Sequence, residues 1–146
     1  MTSETAMGSA EIRRLVLLTE RLTGRLEAET AAFAARRPQD VTASLNETQE
    51  LANQYRRESA QLKANRAMLA AAPASDRMAL IRVTETFETV LSIHARAVDA
   101  ARTISEGLVQ TIAHEVSAAR ALGTGYGATG QAAVADGRAI TFNRTA

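Results

Sequence analysis

The stretch between Asp76 and Leu122 constrains the fold more than any other part of the chain. No proline interrupts it, and apolar residues recur there at alternating spacings of three and four, which is the period of one helix face. The residues on this face are Leu80, Val83, Phe87, Val90, Ala97, Ala101, Ile104, Leu108 and Ile112, with His94 at one of the same positions. The pattern predicts a single long helix over residues 76–122.

Two shorter helices are predicted before it. The first covers about residues 9–36, with Ser9 as its N-cap, and it ends before Pro38 because proline disfavours helical geometry in the residue that precedes it. The second covers about residues 44–71, starts with a capping-box pattern at Ser44 and Glu47, and ends before Pro73. The first helix carries one apolar stripe, formed by Leu15, Leu18, Leu22, Leu26 and Phe33.

The composition agrees with a helical fold. Hydrophobic residues make up 46% of the chain, and many of them are alanine, which contributes little buried area but has the highest helix propensity. We therefore predict an all-α protein: a three-helix antiparallel, coiled-coil-like bundle over residues 1–122, with one very long C-terminal helix.

A glycine-rich segment follows the last predicted helix. Gly123, Gly125, Gly127 and Gly130 surround Tyr126, and glycine at this density raises the entropic cost of ordering the chain. We expect residues 123–146 to form a flexible tail that carries Tyr126 as a docking residue. The alternative is that Tyr126 folds back onto the bundle.

The C-terminal part of the long helix is predicted to be an interaction surface. Neither earlier helix is long enough to cover its whole stripe, so Ile104, Leu108, Ile112 and Val116 are expected to lack a partner within the chain. An uncovered apolar stripe normally binds another protein. A coiled-coil homodimer would cover the same residues. The sequence therefore does not decide between a homodimer and binding to a different protein.

Several classes of function are not favoured. A formal charge of +1 gives no electrostatic case for nucleic acid, and no apolar run is long enough for membrane insertion. The N-terminus lacks the pattern of a signal peptide, so we expect a cytoplasmic protein. His94 and His114 lie twenty residues apart on one predicted helix and cannot share a metal ion.

Catalysis is not expected either. The chain has no cysteine, and its carboxylates are spread along the helices beside arginines rather than gathered as an acid–base pair. The glycines at 125, 127 and 130 match the letters of a dinucleotide fingerprint, but they follow a helix instead of a strand. Phosphotransfer on His94 or His114 is the one enzymatic alternative, and His94 is better explained as a polar residue at a helix interface. We predict no enzyme activity and no cofactor.

Three segments resemble the flagellar export chaperones of the FlgN type: residues 65–69, residues 98–108, and the motif Tyr126-Gly127-x-x-Gly130-Gln131. The resemblance implies a cytoplasmic chaperone that holds the terminal helices of hook-filament junction proteins until their export through the flagellar type III apparatus. By this resemblance, Tyr126, Gly127 and Gly130 would dock on the cytoplasmic domain of the export gate. The client would bind Ile104, Leu108, Ile112 and Val116. A homo-oligomeric coiled-coil scaffold is the main alternative.

Overall fold

The computed structural model describes residues 2–127, and this part of the chain is all-α, as predicted. It contains the helices α1 (Thr2–Ala34), α2 (Pro38–Ala64), α3 (Arg66–Ala71) and α4 (Ala74–Gly127). No strand occurs between residues 2 and 127. The chain divides into two units after Ala101, and the first unit holds α1, α2, α3 and the beginning of α4.

The core of the first unit is built around α1. The predicted stripe is confirmed for its four leucines, which are all buried, whereas Phe33 is only half-buried. Ile12 extends the stripe by one turn towards the N-terminus. Other elements add Leu51, Leu62, Ala72 and Phe87 to the same cluster. Thr19 and Thr23 are also buried, and each hydroxyl donates to a backbone carbonyl one turn earlier at 2.7 Å. These two hydroxyls can be buried because their hydrogen bonds are made within the helix.

Ion pairs show how the helices of the first unit run. Arg14 of α1 pairs with Glu58 near the end of α2, whereas Arg25 pairs with Glu47 near its beginning. These two helices are therefore antiparallel. The first part of α4 is parallel to α1, because Asp76 lies beside Arg13 while a later residue of α4, His94, lies beside Glu29.

Helix α1 starts and ends earlier than predicted. It begins at Thr2, so Ser9 lies inside the helix and is not its N-cap. At the other end, the N–H of Arg37 donates to the carbonyl of Ala32 at 2.8 Å and that of Arg36 to Phe33 at 3.1 Å. With Arg36 at a φ of 59°, this is the Schellman arrangement that closes many helices.

The predicted second helix is two helices in the structure. Helix α2 begins at Pro38, ahead of the predicted start at Ser44, because proline already has the φ of a first helical residue. The hydroxyl of Ser44 instead donates to the carbonyl of Val41 at 3.2 Å. Asn65 interrupts the helix, and its side chain accepts from the N–H of Met68 at 3.3 Å, which caps α3.

Helix α4 continues past its predicted end at Leu122 and is described as far as Gly127. Gly123, Gly125 and Gly127 are helical there, and no described glycine has a positive φ. Glycine in a helix interior costs roughly 1 kcal/mol relative to alanine but does not forbid the helix. The tail that was predicted from residue 123 thus has its first five residues in α4, and residues 128–146 lie outside the described part of the chain.

Candidate interaction surfaces

The first candidate surface lies on the part of α4 that belongs to the second unit. Every side chain from Arg102 to Gly123 is exposed. The four predicted client-binding residues follow one another at intervals of four and form one band on the helix. Their exposed fractions are 65% for Ile104, 59% for Leu108, 51% for Ile112 and 45% for Val116. The four side chains are thus exposed, and their role in binding a client stays a prediction.

The second candidate surface is a groove of the first unit, and the sequence reasoning missed it. It has a volume of about 500 Å³ and lies between α1, α2 and α4. We call it the three-helix groove, and its lining consists of Leu22, Leu26, Glu29, Leu45, Thr48, Gln49, Ala52, Tyr55, Arg56, Phe87, Leu91 and His94. The rings of Tyr55 and Phe87 pack within it, with their centroids 4.9 Å apart.

A buried carboxylate lies in the lining of this groove. Glu29 is only 5% exposed, and its Oε1 lies 3.6 Å from Nε2 of His94, which is longer than a hydrogen bond. No described residue donates a hydrogen bond to Oε2 of Glu29. The sequence carried a signal for this residue, because Glu29 is spaced three residues after Leu26 and four before Phe33, inside the apolar stripe of α1.

His94 occupies the helix interface that the sequence indicated. The side chain of His94 is 17% exposed, next to Glu29, and its ring meets the ring of Phe33 edge-on with centroids 6.4 Å apart. His114 is exposed. A phosphoryl acceptor has to be reached from solvent, so the placement of His94 gives no support to phosphotransfer at that residue.

Asp76 joins the beginning of α4 to α1. The hydroxyl of Ser9 donates to Oδ2 of Asp76, and Nε of Arg13 donates to Oδ1 at 3.2 Å. The hydrogen bond from Ser9 holds the pKa of Asp76 below its ordinary value; burial opposes this effect, and the guanidinium of Arg13 adds to it. Asp76 lies in the first turn of α4 and, through these contacts, also links this helix to α1.

The predicted gate-docking residues are placed only in part. The backbone of Tyr126 and Gly127 belongs to the last described turn of α4. The side chain of Tyr126 and the whole of Gly130 lie outside the described residues, so their docking role stays a prediction.

Among residues 2–127, no group of three or more histidine, aspartate or glutamate side chains is arranged to hold a metal ion. None of the described helices combines the length and the apolar character needed to cross a membrane.

Comparison with known proteins identifies a relative that matches nearly the whole chain. The flagellar basal-body protein FlbY of Caulobacter vibrioides is 44% identical over 140 residues, which cover 92% of this chain and 93% of FlbY. No protein-family model and no solved structure matches the chain. The similarity is thus to a flagellar protein, while the narrower FlgN-type resemblance stays a prediction. An identity this high over this length shows that the chain belongs to the family of the flagellar basal-body protein FlbY.

Proposed function

We propose that this protein is a cytoplasmic export chaperone of the flagellum. It would bind the terminal helices of hook-filament junction proteins, prevent their premature assembly and deliver them to the export gate. The exposed α4 stripe carries this proposal, because it is an apolar band that no other described element covers, on a member of a flagellar family.

The stripe fits a helical client on physical grounds. Helices that assemble into coiled coils have apolar seams, which need cover while the protein is unassembled. An amphipathic helix lying along Ile104, Leu108 and Ile112 would bury both apolar surfaces at once. Burial contributes roughly 25 cal/mol per Å² of apolar surface, so a contact over several turns can hold a client without a nucleotide or a metal ion.

The proposal is tested by recovery of the client from cells. The tagged protein is isolated from the cytoplasm of its own cells, and the bound proteins are identified by mass spectrometry. We expect to recover a hook-filament junction protein with the unmodified chain. This recovery should be lost when Ile104, Leu108 and Ile112 are all changed to Gln. The matched control changes three exposed apolar residues of the first unit, Met7, Leu17 and Met78, to Gln. Client recovery that survives the α4 substitutions would refute the assigned surface.

Self-association is the second candidate function, because the same stripe could pair with its copy on another molecule. A coiled-coil scaffold predicts a mass that rises with concentration and no client. Light scattering over a dilution series separates the two functions: a constant monomer mass supports the chaperone, whereas a dimer that the α4 substitutions dissociate supports the scaffold.

Docking on the export gate is assigned to Tyr126, with Gly127 and Gly130 beside it. We expect Tyr126→Ala to leave helicity and client recovery unchanged and to weaken binding to the cytoplasmic domain of the gate. Isothermal titration with that purified domain measures the effect. A large fall in melting temperature instead would show that Tyr126 packs on the bundle.

A further inference from the structure

The three-helix groove is elongated along its helices. Its α1 wall reaches from Leu22 to Glu29 and its α4 wall from Phe87 to His94, so the ends of each wall are seven residues apart. At 1.5 Å per residue, each wall is about 10 Å long, or two helical turns. Because α1 and this part of α4 run parallel, the two walls can follow one occupant along its length.

The rim of the groove indicates an occupant larger than a small molecule. Leu45 and Leu91 line the groove and are 47% and 43% exposed. The volume lies within the range of small-molecule sites, but a compact ligand on the floor would leave both leucines in water. A helix lying in the groove would cover the floor and both leucines together.

Glu29 indicates the charge of the occupant. A buried carboxylate is costly unless it is paired and hydrogen-bonded. Within the described chain, Oε2 of Glu29 accepts no hydrogen bond, and the nearest cationic candidate, His94, is 3.6 Å from the other oxygen. A Lys or Arg side chain from a partner would supply both a donor and a positive charge.

We propose that the three-helix groove binds an amphipathic helix of a partner protein. This helix inserts two or three apolar side chains along Leu22, Leu26 and Phe87 and presents one Lys or Arg to Glu29. The groove shares no residue with the α4 stripe, so this interaction goes beyond the chaperone function and does not depend on it.

The first test uses photo-crosslinking in living cells with the full-length chain. Leu45 is replaced by the photoreactive benzoylphenylalanine, and Leu17, which is exposed outside the groove, carries it in the control. We expect a crosslink from position 45, but not from position 17, to a segment with apolar residues at helical spacing and one Lys or Arg. Crosslinks only to another copy of this chain, or no crosslinks at all, would overturn the proposal.

The second test measures the charge preference with defined probes. One helical peptide carries three leucines at helical spacing and a single Arg; its matched partner has Glu in place of the Arg, and a third peptide reproduces residues 102–119 of this chain. Methyl NMR signals of Leu45 and Leu91 report binding to the full-length protein. We expect the Arg peptide to bind at least about tenfold more tightly than the Glu peptide, since hydrogen bonds to charged groups are worth roughly this much.

Variants of α1 assign that preference to Glu29. Glu29→Gln keeps the shape of the side chain and is expected to reduce the preference to less than about threefold. Glu27→Gln, an exposed carboxylate outside the groove, should retain it. The proposed basic side chain of the partner helix would be refuted if the Arg and Glu peptides bound the unmodified protein equally well. Tighter binding of the peptide with residues 102–119 than of the Arg peptide would refute it too. The α4 substitutions that remove the client should leave all these results unchanged, which separates this proposal from the chaperone function.

Discussion

At the scale of single residues, Gly8 shows how closely α1 and α3 approach each other. A Cβ atom at this position would lie 2.8 Å from the carbonyl oxygen of Met68 and 3.1 Å from its Cγ. The nearer atom belongs to the backbone and cannot rotate away. Gly8 is therefore a packing requirement in a helix whose interior would otherwise favour alanine.

A pair of glycine substitutions tests this packing. Gly24 also lies in α1, but a Cβ there meets nothing within 4 Å. We expect Gly24→Ala to raise the free energy of unfolding by up to about 1 kcal/mol through helix propensity alone. Gly8→Ala should lower it, because α3 has to shift. Urea denaturation of the three proteins measures both changes, and equal stabilisation by the two substitutions would contradict the close contact.

Asp76 makes stability depend on pH in the acid range. Its pKa is lowered in the folded protein, so the ionised carboxylate stabilises the fold at every pH above the ordinary value of about 3.9. This stabilisation is lost as the pH falls through the lower, folded-state pKa.

Replacing the carboxylate by an amide should remove that contribution. We expect Asp76→Asn to melt at a lower temperature than the unmodified protein at pH 7, with a gap that narrows as the pH falls below 4. Asp40→Asn is the control, because the Arg37–Asp40 pair is largely exposed and such pairs contribute little. A constant gap from pH 7 to pH 3 would show that the Asp76 contact does not depend on charge.

Individual residues were predictable where one local rule decided their position. The leucines of α1 followed the helical period, and His94 was assigned correctly to a helix interface. The roles of Ser9 and Glu29 were not predictable, because they depend on which residues of α4 lie opposite them. Such pairings depend on tertiary structure, which a helical period does not specify.

At the scale of elements, the end of α1 carries an unfavourable backbone conformation. Arg36 has a φ of 59° in the Schellman turn, where a residue with a Cβ costs roughly 1–2 kcal/mol relative to glycine. Its side chain is exposed and is not needed for the core.

Glycine at this position is expected to stabilise the protein. Arg36→Gly should raise the free energy of unfolding by about 0.5–1 kcal/mol, since relief of the positive φ is partly offset by the larger entropy of glycine in the unfolded chain. Arg36→Ala removes the same charge but keeps the Cβ, so it should change little. Thermal melting of both variants checks the difference, and a loss of stability in the glycine variant would argue against the turn.

Helix existence was more predictable than helix boundaries. The prolines correctly separated the helical segments, but Pro38 begins α2 while Ser44 lies inside it. The break at Asn65 was missed, because asparagine is tolerated inside helices and gave no clear stop signal. Likewise, glycine density indicated an end at Leu122, although the helical conformation of α4 extends to Gly127.

At the scale of the whole molecule, the two units differ in what holds them together. The first has a buried core on α1, whereas every side chain from Arg102 to Gly123 in the second is exposed. Between Arg102 and Gly123 the helix has no buried side chain, and exposed pairs such as Arg102–Glu106 add little to its backbone hydrogen bonds and intrinsic propensity. A single helix held in this way is marginal in water.

Amide hydrogen exchange should reveal this difference. We expect amides 104–120 to exchange much faster than amides 12–26, because opening the exposed helix breaks no core packing. Client binding should slow the exchange of the first set and leave the second unchanged. Equal protection of both segments in the free protein at micromolar concentration would show that the α4 stripe is already covered.

The central position of α1 also affects how the protein is made. Its leucines are translated first, while Phe87, which completes the same core cluster, follows Leu26 by about 3–12 s at a synthesis rate of about 5–20 residues per second. During that interval the growing chain displays a leucine-rich helix without its full cover. We propose that this protein shields the apolar helices of other proteins, and during its own synthesis its α1 helix needs the same kind of shielding.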